Sequence, residues 1–276
     1  TRRSSDLDPA DLAKLGTQID KSDQRIAAAV TVARENADKP EVVRSETSVA
    51  LSFLPAPEAG ELAVARARAA KLDPKETAEA VALAESLSAG KPLDLIGHSF
   101  GGTVALRIAA TRPDLVRSLT LIEPVFFAAA RAAQDPDWDG FIADHRSFGA
   151  LVASGDRVEA ARQFHAIWGG GEPFDALPAR MQSYMAERIH LITAPWPMVL
   201  DDSPGLLAPG RLEGIRVPVL LVEGNLSPPI VGAVNRALAR RLPHASRMTV
   251  PEAGHMLPIS HPAQLAALMT AHLAAS

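Results

Sequence analysis

Residues 92–110 read PLDLIGHSFGGTVALRIAA, and the fold turns on how that stretch is understood. The apolar run Leu93–Ile96 has the length and composition of a buried strand, and Thr103–Ala110 is an amphipathic helical run. Between them lie only Gly97, His98, Ser99, Phe100, Gly101 and Gly102. So short a passage from strand to helix forces its central residue, Ser99, into a strained backbone conformation with the hydroxyl at the tip. Bulky flanking side chains would collide with the strand and the helix, and the glycines at 97 and 101 are expected to remove that collision. The helix starts directly behind the serine, so its unpaired N–H groups and positive dipole end face any negative charge developing there. Ser99 is therefore the candidate nucleophile. The competing reading is a glycine turn in which Ser99 only caps a helix.

Strand and helix signals alternate around this centre. Pro74–Ala89 predicts a helix stopped by Gly90, Val116–Ile122 a second buried strand, and Val217–Val222 another. Ile230–Leu242 predicts a helix, Arg247–Val250 a last strand and Pro262–Leu273 a closing helix. That alternation predicts an α/β fold, a mostly parallel central sheet with helices on both faces. Upstream, residues 9–35 carry apolar positions at mainly helical spacing, Thr47–Leu54 reads as a strand and Glu61–Ala70 as a helix. From Phe126 to about Leu206 strand signals vanish. Helical runs at Asp139–Ala153, Arg157–Trp168 and Leu177–Ile192 replace them, together with Tyr184 and all three tryptophans, Trp138, Trp168 and Trp196. Amphipathic helices need something to bury, so those rings are first of all core.

At 276 residues the chain suffices for one sizeable core plus an insertion. A formal net charge of -4 offers no long-range attraction for nucleic acid or an anionic membrane, and neither partner is expected. The absence of cysteine excludes a disulfide framework, a thiolate nucleophile and a cysteine zinc site. The histidines are scattered without HExxH-like spacing, so no metal is expected, and nothing suggests a cofactor. No apolar run approaches the ~18 residues of a membrane span. The start, TRRSSDLDPADLAK, has basic residues without an apolar stretch behind them, so a cytoplasmic protein is expected.

With its strand before and helix after, the GHSFGG turn resembles that of the α/β-hydrolase family. The resemblance is good over about 91–276 and poor before about 47. It implies a core of 1–124 and 207–276, with 125–206 as a helical lid inserted after the strand that follows the turn. Residues 1–46 are then an atypical helical segment, a candidate arm of a homo-oligomer. His255, in AlaGlyHisMet after the last strand, matches the general base. The acid in many relatives is an aspartate at the position of Ser227, which here is neutral. Other relatives carry it at the end of the strand after the turn helix, where this chain has Glu123, and Glu123 is chosen, with Glu223, Asp201 and Asp202 in reserve. One oxyanion donor is expected to be the Phe100 backbone N–H. The second is unassigned, since the chain has no histidine before His98 and only Gly16, Gly60 and Gly90 before the turn.

His98, Phe126, Trp168, Trp196 and Met256 are the candidate pocket residues, His98 more as a brace of the turn than a reacting group. His261 is read as a helix start. The family implies a serine hydrolase cleaving an ester, thioester or lactone of a small to medium apolar substrate through an acyl-enzyme. A carbon–carbon bond hydrolase and a non-catalytic binding protein of the same fold are the alternatives.

Overall fold

Among the described residues four strands run parallel and side by side in sequence order: β1 Leu93–His98, β2 Val116–Ile122, β3 Val219–Gly224 and β4 Ala245–Val250. They belong to a computed structural model that describes residues 80, 81, 84, 85, 88 and 90–276. The readings at 9–35, 47–54 and 61–70 lie outside the described residues. Of the helix expected at 74–89, the described positions are helical.

Alternation along the strands sorts their side chains to two faces, as the period-two geometry of a strand requires. Leu93, Leu95, Leu119, Leu121, Val219 and Leu221 point into one core, where α1 (Phe100–Thr111) and, later in the chain, the helix Pro229–Arg241 cover the sheet. Ile96, Ile122, Leu220, Val222 and Val250 point the other way, onto a smaller core shared with the closing helix. A strand buried on both faces reads as a near-continuous apolar run, which is why β3 was legible.

Between β2 and β3 the chain inserts α2 (Phe127–Ala132), α3 (Asp137–Ser154), α4 (Arg157–Trp168), α5 (Ala179–Arg188) and α6 (Trp196–Val199). Helix α3 ends at Gly155, whose φ of 85° is open to glycine at no steric cost. Helix α4 begins at Asp156, whose carboxylate accepts from the Glu159 N–H. The helix expected over 177–192 is shorter: Leu177 and Pro178 are extended, and after Arg188 the chain tightens into a 3-10 turn, Ile189–Ile192. The short helices α2, α6 and α8 (Leu257–Ser260) were not anticipated, because a turn or two of helix leaves too few residues to show a period. The insertion has its own core of Phe148, Ala160, Ala161, Phe174, Ala186 and Ile189. Trp196 belongs to that packing, against Gly149, where a Cβ would lie 2.5 Å from the indole. After β3, α7 (Pro229–Arg241) returns to β4. Its Arg236 holds Asp135 and Asp137 at the root of α3, both at 3.0 Å. The closing helix, α9, spans Pro262–Ala274. Among the described residues no helix is long and apolar enough to cross a membrane.

The glycines of the central turn divide the work differently from the expectation. A Cβ on Gly97 would sit 2.3 Å from the Gly101 carbonyl oxygen, and one on Gly102 would lie 3.2 Å from Pro124 Cβ. One on Gly101 would meet nothing within 4 Å among the described residues. The close approach is of β1 to the helix backbone, and the side of Gly101 is open. Gly97→Ala is therefore expected to lower stability by about 2 kcal/mol or more in urea unfolding. Gly101→Ala, inside a helix, should leave it unchanged or raise it by up to about 1 kcal/mol.

Candidate active site

Parallel strands bring their carboxyl ends to one edge of the sheet, and every element of the site leaves from that edge. Ser99 follows β1, with φ 55° and ψ -124°, and its N–H donates to the Ile122 carbonyl at 2.9 Å. Glu123 follows β2, with φ 48°, and its N–H donates to Val222 at 2.9 Å. Both residues are left-handed, a conformation costing about 1–3 kcal/mol in a side-chain-bearing residue, and both are held in it by ladder bonds from the next strand.

His255 lies beyond β4 in a loop pinned to the end of β3. The Leu226 N–H donates to Ala253 at 2.9 Å, and a Cβ on Gly224 would stand 2.1 Å from the same carbonyl oxygen. Only glycine lets strand and loop approach that closely. From there the imidazole reaches both partners. Nε2 is 3.1 Å from Ser99 Oγ, and Nδ1 is 2.6 Å from Glu123 Oε2.

Glu123 has no exposed surface, so its second oxygen must also be matched. Oε1 accepts from the Gly224 backbone N–H at 2.7 Å and from the Ser227 hydroxyl. Ser227 stands where the family resemblance led one to look for an aspartate; here it donates to the carboxylate supplied by the neighbouring strand. Sequence reasoning set it aside as a missing acid, and a hydroxyl able to serve a carboxylate from elsewhere was the available signal.

The reserve carboxylates lie in other networks. Glu223 binds Asn235 and Arg247, Asp202 caps the Leu206 and Leu207 N–H groups, and exposed Asp201 faces Arg131. His98 donates from Nε2 to the His255 carbonyl at 2.8 Å, its ring centroid 4.9 Å from that of His255. Burial, and next the charge His255 would carry, push its pKa below the ordinary histidine value. His98 thus ties β1 to the histidine loop as a neutral donor.

Trp168 meets His255 edge-on, its centroid 4.7 Å away, and Met256 is half-buried beside Gly170. Phe126 is wholly buried at the root of the insertion, and Trp196 packs on His145 and Phe148. The structure therefore brings Trp168 and His98 to the site and places Phe126 and Trp196 in core. Phe100 opens α1, so its N–H has no acceptor within its own helix. The second donor, unassigned from the sequence, is not assigned among the described residues either. Among the described residues no group of three or more His, Cys, Asp or Glu is arranged to hold a metal.

A strained serine on a strand-to-helix turn, within reach of a histidine from the loop after the last strand, is the arrangement of one large class of proteins. The chain belongs to the alpha/beta hydrolase family, whose model matches residues 48–268. Similar proteins include the pimeloyl-[acyl-carrier protein] methyl ester esterase of Neisseria meningitidis serogroup C, 33% identical over 196 residues covering 69% of this chain and 73% of that one. Lipase LipV of Mycobacterium tuberculosis is 28% identical over 194 residues, 66% of this chain and 69% of its own. Among solved structures, one from work on carboxylesterases of Nitrososphaera gargenis superposes with a TM-score of 0.51 at 17% identity, covering 72% of this chain and 70% of that chain. That likeness speaks to fold alone.

Removing the Ser227 hydroxyl should leave a buried carboxylate one donor short. Ser227→Ala is expected to cost about 1.5–3 kcal/mol in urea unfolding, and Ser227→Thr to recover most of it. The Nδ1 proton of His255, followed by NMR, should change its chemical shift in the alanine variant and return toward its original position in the threonine variant.

Proposed function

We propose that this chain is a carboxylic ester hydrolase working through an acyl-enzyme on Ser99. The observation that carries the reading is the unbroken hydrogen-bonded chain from Ser99 Oγ through His255 to the buried Glu123 carboxylate. Named relatives that cleave or are named for esters support it. In the proposed mechanism Ser99 Oγ attacks the ester carbonyl as its proton passes to His255 Nε2. The imidazolium is stabilised by Glu123, which accepts from Nδ1–H and holds the tautomer that leaves Nε2 free to act as base. The tetrahedral oxyanion is met by the Phe100 N–H at the positive end of α1. His255 returns the proton to the departing alcohol. Water then attacks the acyl-enzyme by the same route, releasing acid and restoring the serine.

Within this reading residues 125–206 act as a lid over a small to medium apolar substrate. Supporting this, the end of α4 puts Trp168 against the His255 ring. His98 and Ser227 are positioning residues: one fixes the histidine loop, the other the carboxylate.

Hydrolysis of p-nitrophenyl butyrate tests the proposal. Ser99→Ala should lower kcat by about 10⁴ or more, and Glu123→Gln by about 10³–10⁴ with little change in KM. A fluorophosphonate should label the parent protein once, on Ser99, and leave Ser99→Ala unmodified. Equal turnover in parent and Ser99→Ala would remove the enzyme reading and leave a binding protein of the same fold.

A further inference from the structure

Between α3, α4 and the first turn of α7 lies a cavity of about 420 Å³ that neither Ser99 nor His255 lines. Its body is aromatic, built from Phe141, Phe148, Phe164 and Trp168. The exposed positions Gly140, Asp144 and Ile167 mark where it meets solvent.

Three features of the lining agree on the charge of an occupant. Two carboxylates line the cavity and no lysine or arginine does. Asp137 is already neutralised by Arg236, whereas Asp144 has no ion pair among the described residues. Next, the other polar side chains of the lining, Gln163 and His145, bring no cationic group, and among the described residues Gln163 Oε1 and His145 Nε2 are buried without a hydrogen-bond partner. The His145 ring lies between Phe141 and Trp196, at 4.7 and 4.6 Å, and burial pushes its pKa down to about 4, so it adds no positive charge at neutral pH. Finally, aromatic faces attract cations. A carboxylate-bearing molecule would find like charge and no cationic side chain.

We propose that this cavity is a second small-molecule site, separate from the Ser99 centre, for an apolar amine: a ring or branched hydrocarbon bearing one protonated nitrogen. The nitrogen is taken by Asp144, and the hydrocarbon by the rings. Trp168 is the shared wall, since it lines the cavity while its edge meets the imidazole of His255. An occupant therefore presses on the residue that packs against the histidine. Binding stands apart from the ester-hydrolase reading; only the kinetic effect below rests on it.

Tryptophan emission of the full chain, titrated with phenethylammonium, 2-phenylethanol and phenylacetate, tests the site. The amine should give a saturable change, the alcohol bind about tenfold more weakly and the acid not at all. Asp144→Asn should bring amine and alcohol to similar affinity. Gly140→Leu, whose Cβ enters open space in a helix that leucine favours over glycine, should abolish binding while the circular dichroism stays unchanged. With p-nitrophenyl butyrate, the amine should change kcat and leave KM alone in the parent, and do neither in Gly140→Leu. Absence of saturable emission change, equal binding of all three probes, or binding retained in Gly140→Leu overturns the site. Purely competitive inhibition would put the amine at Ser99 and overturn it too. If the parent cleaves no ester, the emission titration still decides the proposal by itself.

Discussion

A carboxylate with no exposed surface must find donors inside the protein, and Glu123 finds them on both oxygens. One is matched by the Gly224 N–H and the Ser227 hydroxyl, the other by the His255 ring. An uncompensated charge at that depth would cost several kcal/mol, so the three donors are conditions of folding as much as of chemistry. They come from the end of β3, the turn after it and the loop after β4. Satisfying Glu123 thus aligns the carboxyl ends of three strands, and the same alignment sets His255 within reach of Ser99.

The sheet supplies what this arrangement requires of the backbone. Ser99 and Glu123 occupy equivalent places, one residue past the last paired position of β1 and β2, where His98 pairs with Ile122 and Ile122 with Val222. Each is left-handed, and each N–H is bound by the strand alongside. Strain of about 1–3 kcal/mol per residue would relax in an isolated turn. Here relaxation would break a ladder bond and disturb two fully buried layers. The cores on either face, one around Leu119, Leu121 and Leu221 and the other around Ile122, Leu220 and Val222, are therefore what keep both side chains pointed at one spot.

Much of this was legible in the sequence because the relevant signals are local. Strand β3 is a run of apolar residues flanked by breakers, and the turn at 97–102 has few alternatives once a strand precedes it and a helix follows. The pairing of Glu123 with His255 needed the resemblance, since nothing local relates residues so far apart. The distribution of strain among the glycines was not legible: whether a Cβ clashes depends on what the tertiary fold brings opposite, which for Gly97 is backbone and for Gly101 is nothing among the described residues. Nor was the part played by Ser227, because the need for a donor there arises only after Glu123 has been buried. Trp196 read first as core and only second as pocket, and Gly149 beneath it agrees with core.

The position of the acid also bears on the inserted helices. Glu123 is followed at once by Pro124, which abuts Gly102 of α1, by Val125, whose N–H reaches the Ser99 carbonyl at 3.4 Å, and by wholly buried Phe126. The segment by which the insertion leaves the sheet is thus the one that anchors the carboxylate. At the other end, Leu206, Leu212 and Ile215 are buried to within 1% exposure before β3 begins. An insertion rooted this firmly at both ends cannot swing as a body without dislodging Glu123 from its donors. In the lid role proposed for it, its freedom to move lies beyond the root, where α3 and α4 turn at Gly155 and where α4 runs out through Trp168 into Gly169, Gly170 and Gly171. There φ reaches 89° and 115° at the last two glycines, and the histidine contact is a ring edge rather than a hydrogen bond.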